Sequence, residues 1–235
     1  MRAAIIVAGG TGERFGRAGG KQLATVAGRP LLAWSVRAFD LAPEIDAIVV
    51  VADPDRLDDY ADAVSSSKLI AVVAGGVTRQ DSVEAGLAAL PASAQIVAIH
   101  DGARPLVTPE CIAYAFRVLD AHPGMAGVVV GHPMVDTVKS VDSRTPDLIE
   151  TTPPRETLWV AQTPQVFRVS ALRDAYARAK REDFGATDDS TLVEHAGGRV
   201  MLVRGIGANV KVTVPEDLAM VEGVLARRAT GGGSR

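Results

Sequence analysis

A glycine-rich segment near the N-terminus carries the residue types that bind phosphate. Gly9, Gly10 and Gly12 follow a short apolar run, and Arg14 and Lys21 come shortly after them. Glycines at such a position let backbone N–H groups approach an anion without interference from a Cβ atom. The two basic side chains can then neutralise the charge of the anion. The pattern favours a polyphosphate site, and the alternative is a simple turn that joins a strand to a helix.

Two common phosphate-binding loops do not fit this segment. The dinucleotide fingerprint would start at Gly10, but its third glycine position holds Phe15. A Walker A loop would need a glycine six residues before Lys21 and a serine or threonine after it, and these positions hold Phe15 and Gln22. An NAD-dependent dehydrogenase is therefore a weak interpretation, and the loop is of another kind.

The distribution of charge supports an anionic ligand at the glycines. The chain has 235 residues and a net charge of -3, which gives no reason to expect binding to nucleic acid or to a membrane surface. Residues 1–30 nevertheless hold five basic residues against one acid, whereas residues 40–62 hold eight acids and one arginine. The basic residues of this acidic protein are therefore concentrated around the glycine segment.

Further polar residues follow the later apolar runs, where strand ends should meet. Asp101 can bind Mg²⁺ or a hydroxyl group, although it could equally cap a helix or pair with Arg104. Thr187 resembles a helix N-cap, which is the alternative to a ligand contact there. His100 is interpreted as a buried structural histidine, because no nucleophile adjoins it. The other candidates of this kind are Gly76, Ser82, Thr163 and Lys211.

Alternating strands and helices must position these residues. Six short, β-branched apolar runs predict strands that are buried on both faces; they are 3–8, 47–52, 69–74, 96–99, 128–130 and 200–203. Helical periodicity follows Pro30, Thr78 and Thr108. We expect an α/β, Rossmann-like fold with a mostly parallel sheet, helices on both faces and a ligand crevice at the carboxyl ends of the strands. The segment 209–213 is expected to end a further strand that carries Lys211 at the edge of the sheet.

One polar segment interrupts the alternation. Residues 136–159 have no helical period and contain three prolines, so they predict a β-ribbon or an extended arm. Such an excursion within an α/β domain is typical of a dimerisation arm, and a mobile loop is the alternative. We expect residues 1–229 to form a single domain that includes this arm, followed by a flexible tail at 230–235.

Cysteine usage and the N-terminus indicate a cytoplasmic location. Cys111 is the only cysteine, so no internal disulfide is possible, and no cluster of Cys and His has the spacing of metal ligands. The apolar run at residues 3–8 is too short for a signal sequence or a membrane span. Aromatic residues make up only 4% of the chain, which argues against single-strand binding by stacking.

Six motifs taken together resemble one enzyme family. They are AIIVAGGTGERFG with Lys21-Gln22, GGVTRQDSV, IHDGARPLV, AQTPQVF, TDDS and NVKVTVPEDL. In this order, and over about residues 3–222, they resemble the 2-C-methyl-D-erythritol 4-phosphate cytidylyltransferases. Leu23 departs from the pattern, since the family often has an aromatic residue there.

The resemblance implies a fold of the nucleotide-diphospho-sugar transferase type and a homodimer that exchanges its arms. It implies a reaction of CTP with the polyol phosphate to give pyrophosphate, with Mg²⁺ held mainly by the triphosphate and Asp101 as a further candidate ligand. It assigns catalysis to Arg14, Lys21, Arg155 and Lys211. It assigns nucleotide binding to Ala8, Gly9, Gly10, Gly12, Gly76 and Ser82, and substrate binding to Asp101, Arg104, Thr137, Thr163 and Thr187. Of these, Thr137 and Arg155 would reach into the partner subunit's site.

Elementary chemistry agrees with this expectation. A phosphomonoester oxygen is already a nucleophile at neutral pH, so no general base is required, and the enzyme has to position two anions and stabilise charge. Two alternatives remain. A cytidylyltransferase for another polyol phosphate, such as ribitol 5-phosphate, would share the glycine segment, and a catalytically silent nucleotide-binding module would keep only the fold.

Overall fold

A seven-stranded sheet forms the centre of the molecule. The computed structural model describes residues 1–10, 15 and 20–231 of the chain. The strands of the sheet are β1 (Arg2–Val7), β4 (Ala47–Ala52), β5 (Leu69–Ala74), β6 (Ile96–Asp101), β7 (Gly127–Pro133), β10 (Trp159–Arg168) and β11 (Val200–Arg204). Their order across the sheet is β11-β7-β10-β6-β1-β4-β5. Six of the seven are the predicted apolar runs.

The seventh strand, β10, was not predicted. It lies between β6 and β7 and runs antiparallel to both, whereas the other neighbouring pairs are parallel. The proline at 164 and the polar residues around it hide the strand in the sequence, because proline cannot donate to a ladder. The register of β10 against β7 shifts between Ala161 and Gln165, which accommodates Pro164 at an irregular position. The sheet is therefore mostly parallel, as expected.

Helices cover both faces of the sheet, as predicted. They are α1 (Leu31–Leu41), α2 (Leu57–Ala63), α3 (Arg79–Ala88), α4 (Pro109–Ala121), α5 (Val169–Glu182), α6 (Asp189–His195) and α7 (Asp217–Gly231). Alternate residues of β1 point to opposite faces, so Ala4 and Ile6 pack with one set of helices. Ala3 and Ile5 pack with the other set. This two-sided burial explains why the strand is apolar throughout rather than alternating.

A smaller apolar cluster supports the region around the glycine segment. It joins Phe15, Val26 and Leu31 to Val212 and Leu225. The short strands β2 (Thr25–Val26) and β3 (Arg29–Pro30) form a hairpin beside it. Phe15 is 1% exposed, so the residue that breaks the dinucleotide fingerprint serves as an anchor in this cluster.

The polar segment forms a ribbon. Strands β8 (Ser140–Asp142) and β9 (Thr145–Thr151) pair with each other in antiparallel fashion and form a sheet of their own. A short 3₁₀-helix (Arg155–Thr157) then leads into β10. Large apolar side chains are exposed along this region, among them Val141, Leu148 and Ile149. We call residues 136–159 the arm.

Two predicted boundaries were wrong. The helix α7 continues to Gly231, so the first two residues of the expected tail extend a helix, while residues 232–235 lie outside the described part of the chain. Residues 209–213 form no strand. Val212 donates one backbone hydrogen bond to the Ala103 carbonyl and is buried in the third apolar cluster, so packing with a loop rather than a ladder fixes Lys211.

The strand order places a crevice between β1 and β6. From β1 the chain proceeds outward to β4 and β5, and it then returns to the other side of β1 to form β6. The loops that follow β1 and β6 leave in opposite directions at such a switch point and open a binding crevice at the carboxyl ends of the strands. None of the helices in the described ranges combines the length and the apolar character that a membrane span requires.

Candidate active site

A cavity of about 690 Å³ lies at the carboxyl ends of the strands, as expected. Its walls include Gly9 and Gly10 after β1, Gly75 and Gly76 after β5, and Asp101 at the end of β6. Lys21, Ser82 and Lys211 also line it. Sequence reasoning thus predicted seven of the seventeen residues that line this cavity in the described part of the chain.

A larger groove of about 1010 Å³ lies around the opposite ends of the strands. It is lined by Arg2, Asp46, Gln95 and Arg168 among others, and by none of the predicted site residues. Arg2 pairs with Asp120 at 2.7 Å and Arg168 donates to two backbone carbonyls, so these charges serve the fold. Size alone does not identify the site. We take the strand-end cavity as the functional one because it is lined by the predicted glycines and charged residues.

Close backbone approach explains two of the cavity's glycines. A Cβ atom on Gly9 would lie 2.9 Å from the carbonyl oxygen of Ala52, and one on Gly75 would lie 2.9 Å from the hydroxyl oxygen of Ser82. Any larger residue would push the loop after β1 away from the end of β4, and the loop after β5 away from Ser82. Gly10 is exposed and borders the cavity. Gly12 and Arg14 lie outside the described residues, so their predicted roles remain predictions.

Ala8 is held firmly at the end of β1. Its N–H donates to the Val51 carbonyl at 2.7 Å, and its carbonyl accepts from the hydroxyl of Tyr60 at 3.2 Å. Burial, with the nearby charge of Asp53, raises the pKa of Tyr60 to about 12, so this hydroxyl stays protonated and remains a donor. Ala8 is 1% exposed, and only its carbonyl keeps hydrogen-bonding capacity for a ligand.

The loop before α3 is tightly organised. Thr78 caps the helix by accepting from the Asp81 N–H, and the Asp81 carboxylate accepts from the Thr78 N–H, which forms a capping box. The Ser82 hydroxyl accepts from the Gly76 N–H at 3.2 Å and donates to the Thr78 carbonyl at 3.0 Å. The Ser82 hydroxyl therefore stabilises the conformation of this loop through these two hydrogen bonds. Its contact with a base, as predicted, would use the remaining lone pair.

Asp101 forms the electrostatic centre of the cavity. Lys211 Nζ lies 3.0 Å from its Oδ2, Arg104 Nε lies 3.4 Å from the same oxygen, and Arg79 Nε lies 3.4 Å from Oδ1. Burial alone would raise the pKa of Asp101, but the three cations outweigh it and hold the pKa well below its usual range. Asp101 is therefore ionised, and the cluster carries more positive than negative charge, which suits a phosphate-bearing substrate.

A chain of buried hydrogen bonds fixes the backbone of Asp101. His100 is fully buried, and its Nε2 lies 3.2 Å from the Arg104 carbonyl, which can only accept. Nδ1 must then accept from the Thr163 hydroxyl at 3.0 Å, and that hydroxyl oxygen accepts from the Asp101 N–H at 3.0 Å. Burial lowers the pKa of His100 to about 4, so the ring is neutral. The interpretation of His100 as a structural histidine is confirmed.

Sequence reasoning missed the group that connects Asp101 to the helices behind it. Arg79 donates from Nη2 to Asp189 at 2.7 Å, and Asp189 also accepts from the Tyr176 hydroxyl at 2.5 Å. Burial alone would lower the pKa of Arg79, but the carboxylates of Asp189 and Asp101 raise it above its ordinary value. Asp189 is fully buried. The sequence signal for this role was an arginine at the start of a helix, next to a glycine-containing loop. Its partner Asp189 lies 110 residues further along the chain, so the sequence did not reveal the pair.

Thr187 is not the helix cap. Asp188 caps α6 instead, because its carboxylate accepts from the Thr191 N–H at 3.0 Å. Gln165 on β10 donates to the same carboxylate at 2.8 Å and accepts from the Ser190 N–H, which ties the start of α6 to the sheet. Thr187 is exposed one residue before the cap. The capping alternative was wrong at this residue, and the predicted ligand contact of Thr187 remains a prediction.

The two arm residues lie apart from the cavity walls described so far. Thr137 is exposed, and Arg155 donates from Nη1 at 3.0 Å to the carbonyl of Val135, the residue just before the arm of the same subunit. The Arg155 side chain is 57% exposed, and its other neighbour is Glu156 at 3.7 Å. Neither residue lines the strand-end cavity. Their predicted contribution therefore depends on another subunit.

The cavity offers no carboxylate cage for a metal. Within the described ranges, no group of three or more His, Cys, Asp or Glu residues could hold one. Both carboxylate oxygens of Asp101 already contact cations. This donor set fits a divalent metal that takes most of its ligands from a bound triphosphate, as Mg²⁺ does with nucleotides.

Comparison with known proteins agrees with the geometry. A model of the 2-C-methyl-D-erythritol 4-phosphate cytidylyltransferase family matches residues 2–227. The protein of that name from Nostoc punctiforme is 39% identical over 95% of this chain and 98% of its own. The one from Prochlorococcus marinus is 42% identical over 96% of this chain and 98% of its own.

Solved structures agree as well. The 4-diphosphocytidyl-2C-methyl-D-erythritol synthase of Anaerococcus prevotii superposes with a TM-score of 0.82 at 29% identity and covers 96% of both chains. The 2-C-methyl-D-erythritol 4-phosphate cytidylyltransferase of Thermus thermophilus gives a TM-score of 0.74 at 33% identity, over 96% of this chain and 100% of its own. The chain therefore belongs to the 2-C-methyl-D-erythritol 4-phosphate cytidylyltransferase family.

Proposed function

We propose that this protein is a nucleotidyltransferase that converts CTP and 2-C-methyl-D-erythritol 4-phosphate to 4-diphosphocytidyl-2-C-methyl-D-erythritol and pyrophosphate, a step in isoprenoid precursor synthesis. A phosphate oxygen of the polyol forms a bond to the α-phosphorus of CTP. The bond from that phosphorus to the oxygen bridging to the β-phosphorus breaks, and pyrophosphate leaves with the electron pair. The observation that supports this most is the cationic cluster around Asp101, at the switch point of a glycine-lined cavity in a chain of this family.

The nucleotide would lie along the loops after β1 and β5. We propose that Gly9, Gly10 and Gly12 bind the triphosphate through backbone N–H groups, and that Arg14 and Lys21 stabilise the charge that develops on it. Ala8, Gly76 and Ser82 would contact the cytosine. The hydrogen bonds that fix the loop before α3 support this role, because a rigid polar edge can distinguish an amino group from a carbonyl oxygen.

The polyol phosphate would bind between Asp101 and the start of α6. We propose that the Asp101 carboxylate accepts hydrogen bonds from the polyol hydroxyl groups and that Thr187 contacts the substrate directly. Lys211 and Arg104 would offset the charge of the two phosphate-bearing substrates. Because the Thr163 hydroxyl is buried and already has two partners, its contribution would be to position Asp101 rather than to bind substrate itself.

The arm would complete the site in a homodimer. We propose that the arms of two subunits exchange, and that Thr137 and Arg155 contact the polyol phosphate in the neighbouring cavity. Two observations support this: the arm exposes large apolar side chains, and its arginine lines no part of its own subunit's cavity. An arginine can make a bidentate contact with phosphate that would orient the attacking oxygen.

Mg²⁺ is the proposed cofactor. Bound to CTP, it would neutralise charge on the phosphate oxygens, with the triphosphate as its main source of ligands. In this arrangement Asp101 remains paired with its three cations and does not need to bind metal directly. Because CTP is a nucleotide of the cytoplasm, we also propose a cytoplasmic location.

The direct test is a substrate panel. Pyrophosphate release would be measured with each of the four nucleoside triphosphates and with 2-C-methyl-D-erythritol 4-phosphate, ribitol 5-phosphate and glycerol 3-phosphate as acceptors, with and without Mg²⁺. We expect turnover with CTP and methylerythritol phosphate in the presence of the metal. Preferred use of ribitol 5-phosphate would contradict the proposed acceptor, and binding of CTP without turnover of any acceptor would indicate a silent nucleotide-binding module.

A further inference from the structure

Arg79 is a cation at a position where a helix disfavours one. It is the first residue of α3, and the N-terminal end of a helix carries partial positive charge, which repels a basic side chain. Its guanidinium pairs instead with two carboxylates from distant parts of the chain. Nε lies 3.4 Å from Oδ1 of Asp101, and Nη2 lies 2.7 Å from Oδ2 of Asp189. These tertiary contacts, rather than the helix, explain an arginine at this position.

The two carboxylates that Arg79 joins differ in their surroundings. Asp189 is fully buried, and its Oδ1 accepts from the Tyr176 hydroxyl at 2.5 Å, so it is a fixed point in the core. A buried carboxylate requires a partner of opposite charge, which Arg79 provides. Asp101 lines the strand-end cavity instead. Arg79 therefore connects a carboxylate of the cavity to an anchor behind it.

The next residue ties the same turn of α3 to the loop before α6. Gln80 donates from Nε2 to the Phe184 carbonyl at 3.4 Å, and its Oε1 accepts from the Ala186 N–H at 3.3 Å. Thr187 follows directly after Ala186. The first turn of α3 thus contacts both Asp101 and the segment that leads into Thr187. These are the two parts of the chain to which the proposed function assigns the polyol.

We propose that Arg79 is a positioning residue for the polyol phosphate, and that it holds the Asp101 carboxylate in the orientation that accepts hydrogen bonds from the substrate hydroxyl groups. This inference rests on the proposed function, which supplies that substrate. Lys211 and Arg104 both contact Oδ2 of Asp101, whereas Arg79 contacts Oδ1. Without Arg79, the carboxylate could rotate about its better-paired oxygen. A carboxylate that is already fixed loses less conformational freedom when it binds a hydroxyl group.

Arg79→Met in the full-length protein tests this role, because it removes both ion pairs and keeps an unbranched apolar stem. In steady-state pyrophosphate release at saturating CTP with Mg²⁺, KM for methylerythritol phosphate should rise roughly tenfold. Contacts with the hydroxyl groups are the same before and during phosphoryl transfer, so kcat should be nearly unchanged. The Kd of CTP, measured by calorimetry, should also be unchanged. The capping box of Thr78 and Asp81, which shapes the nucleotide loop, does not involve the Arg79 side chain.

Two further variants separate positioning from folding stability. Arg79→Met leaves the buried Asp189 carboxylate without its cation and should lower the melting temperature. Combining it with Asp189→Asn removes that charge and should recover much of the melting temperature, whereas the raised KM should persist because Asp101 still lacks its partner on Oδ1. Tyr176→Phe is the matched control, since it removes a hydrogen bond to Asp189 but leaves both contacts of Arg79 in place. It should lower the melting temperature without changing KM.

Three outcomes would overturn the proposal while the proposed function stands. If KM recovers in the double variant together with the melting temperature, Arg79 acts only on folding. If Arg79→Met weakens the binding of CTP, the side chain serves the nucleotide instead. If the unsubstituted protein turns over methylerythritol phosphate and Arg79→Met does so with the same KM, Asp101 needs no such partner. If the unsubstituted protein turns over no acceptor with CTP, the proposed function fails and this inference fails with it.

Discussion

The strand-end cavity and the arm differ in almost every physical respect. The cavity is built from the ends of buried strands, and its central carboxylate makes ion pairs with three cations. The arm contains a two-stranded ribbon that forms a sheet of its own, and it exposes Val141, Leu148 and Ile149. The described walls of the cavity come from the ends of the central sheet and the loops beside them, whereas the arm exposes apolar side chains and an arginine.

The difference suggests a division of labour. Rigid elements hold a nucleotide-binding cavity in place before any ligand arrives, because strand ends and capped helices move little. In the proposed homodimer, the polyol phosphate contact lies on the arm, which would gain its full environment only when two subunits assemble. The predictions that follow test this division, starting with the largest expected effect.

Lys21→Ala should have the largest effect on turnover. Removing one charge-stabilising donor typically lowers kcat by roughly two to three decades, and we expect a loss of at least this size in steady-state pyrophosphate release. Folding should be intact. Lys180→Ala is the control, since Lys180 pairs with Glu84 at 3.1 Å on the surface and does not line the strand-end cavity. Near-normal kcat in Lys21→Ala would show that the cavity does not use this cation.

The buried His100 predicts a specific dependence of stability on pH. Its pKa is about 4 in the folded protein against an ordinary value of 6.5, so the unfolded state binds more protons between these values. The free energy of unfolding should therefore be fully present above pH 6.5 and should fall by about 3 kcal/mol as the pH drops to 4. Urea unfolding at several pH values would measure it.

His100→Gln provides the comparison for that titration. It keeps polar atoms in the side chain but cannot titrate, so its free energy of unfolding should change much less between pH 6.5 and pH 4. The pKa of Asp101 is held well below its usual range, so its own contribution to stability begins to fall only below about pH 5, and the variant, which keeps Asp101, serves to subtract it. Parallel pH profiles for the two proteins would refute the assignment of a neutral His100.

Arg155→Ala should distinguish the role of the arm from the role of the cavity in substrate binding. A charge-assisted contact with phosphate typically contributes a factor of ten to a hundred, and we expect KM for the polyol phosphate to rise by about that factor while the affinity for CTP is unchanged. Mixing Arg155→Ala with Lys21→Ala subunits should restore part of the activity, since one site of the mixed dimer has an intact loop and an intact arm.

The complementation experiment requires proof of subunit exchange. Heterodimers carrying two different tags would be isolated before the assay. Activity no greater than that of the two mutant homodimers together would mean that the arm acts within its own subunit or not at all. Arg178→Ala is a suitable control, because Arg178 pairs with Glu182 on the surface of α5.

Thr78→Ala should have the smallest effect. Loss of the N-cap of α3 should destabilise the protein by about 1 kcal/mol, as measured by urea unfolding, and should loosen the loop that carries Gly76 and Ser82. We expect the ratio of kcat/KM for CTP over UTP to fall a few-fold. Thr108→Ala removes the N-cap of α4 and should cost a similar amount without changing that ratio. Equal ratios in both variants would contradict a base-contacting role for the loop.

Much of the cavity was predictable from local sequence. Buried parallel strands are continuous apolar runs, and the residues that follow them must gather at one edge of the sheet. Gly9, Gly76, Asp101 and Lys21 were found in this way. Arg79 was not selected, because its role depends on Asp189, and the chemistry of an arginine is visible only when its partners are known.

The sequence by itself determined the class of fold, the family and several of the residues that line the cavity, because strand burial and glycine positions are local properties. Only the tertiary structure decided that β10 runs antiparallel in the middle of the sheet. It also decided that His100 and Thr163 fix the backbone of Asp101 through hydrogen bonds. These features depend on contacts between residues far apart in the chain, and no local pattern encodes which distant polar groups will meet.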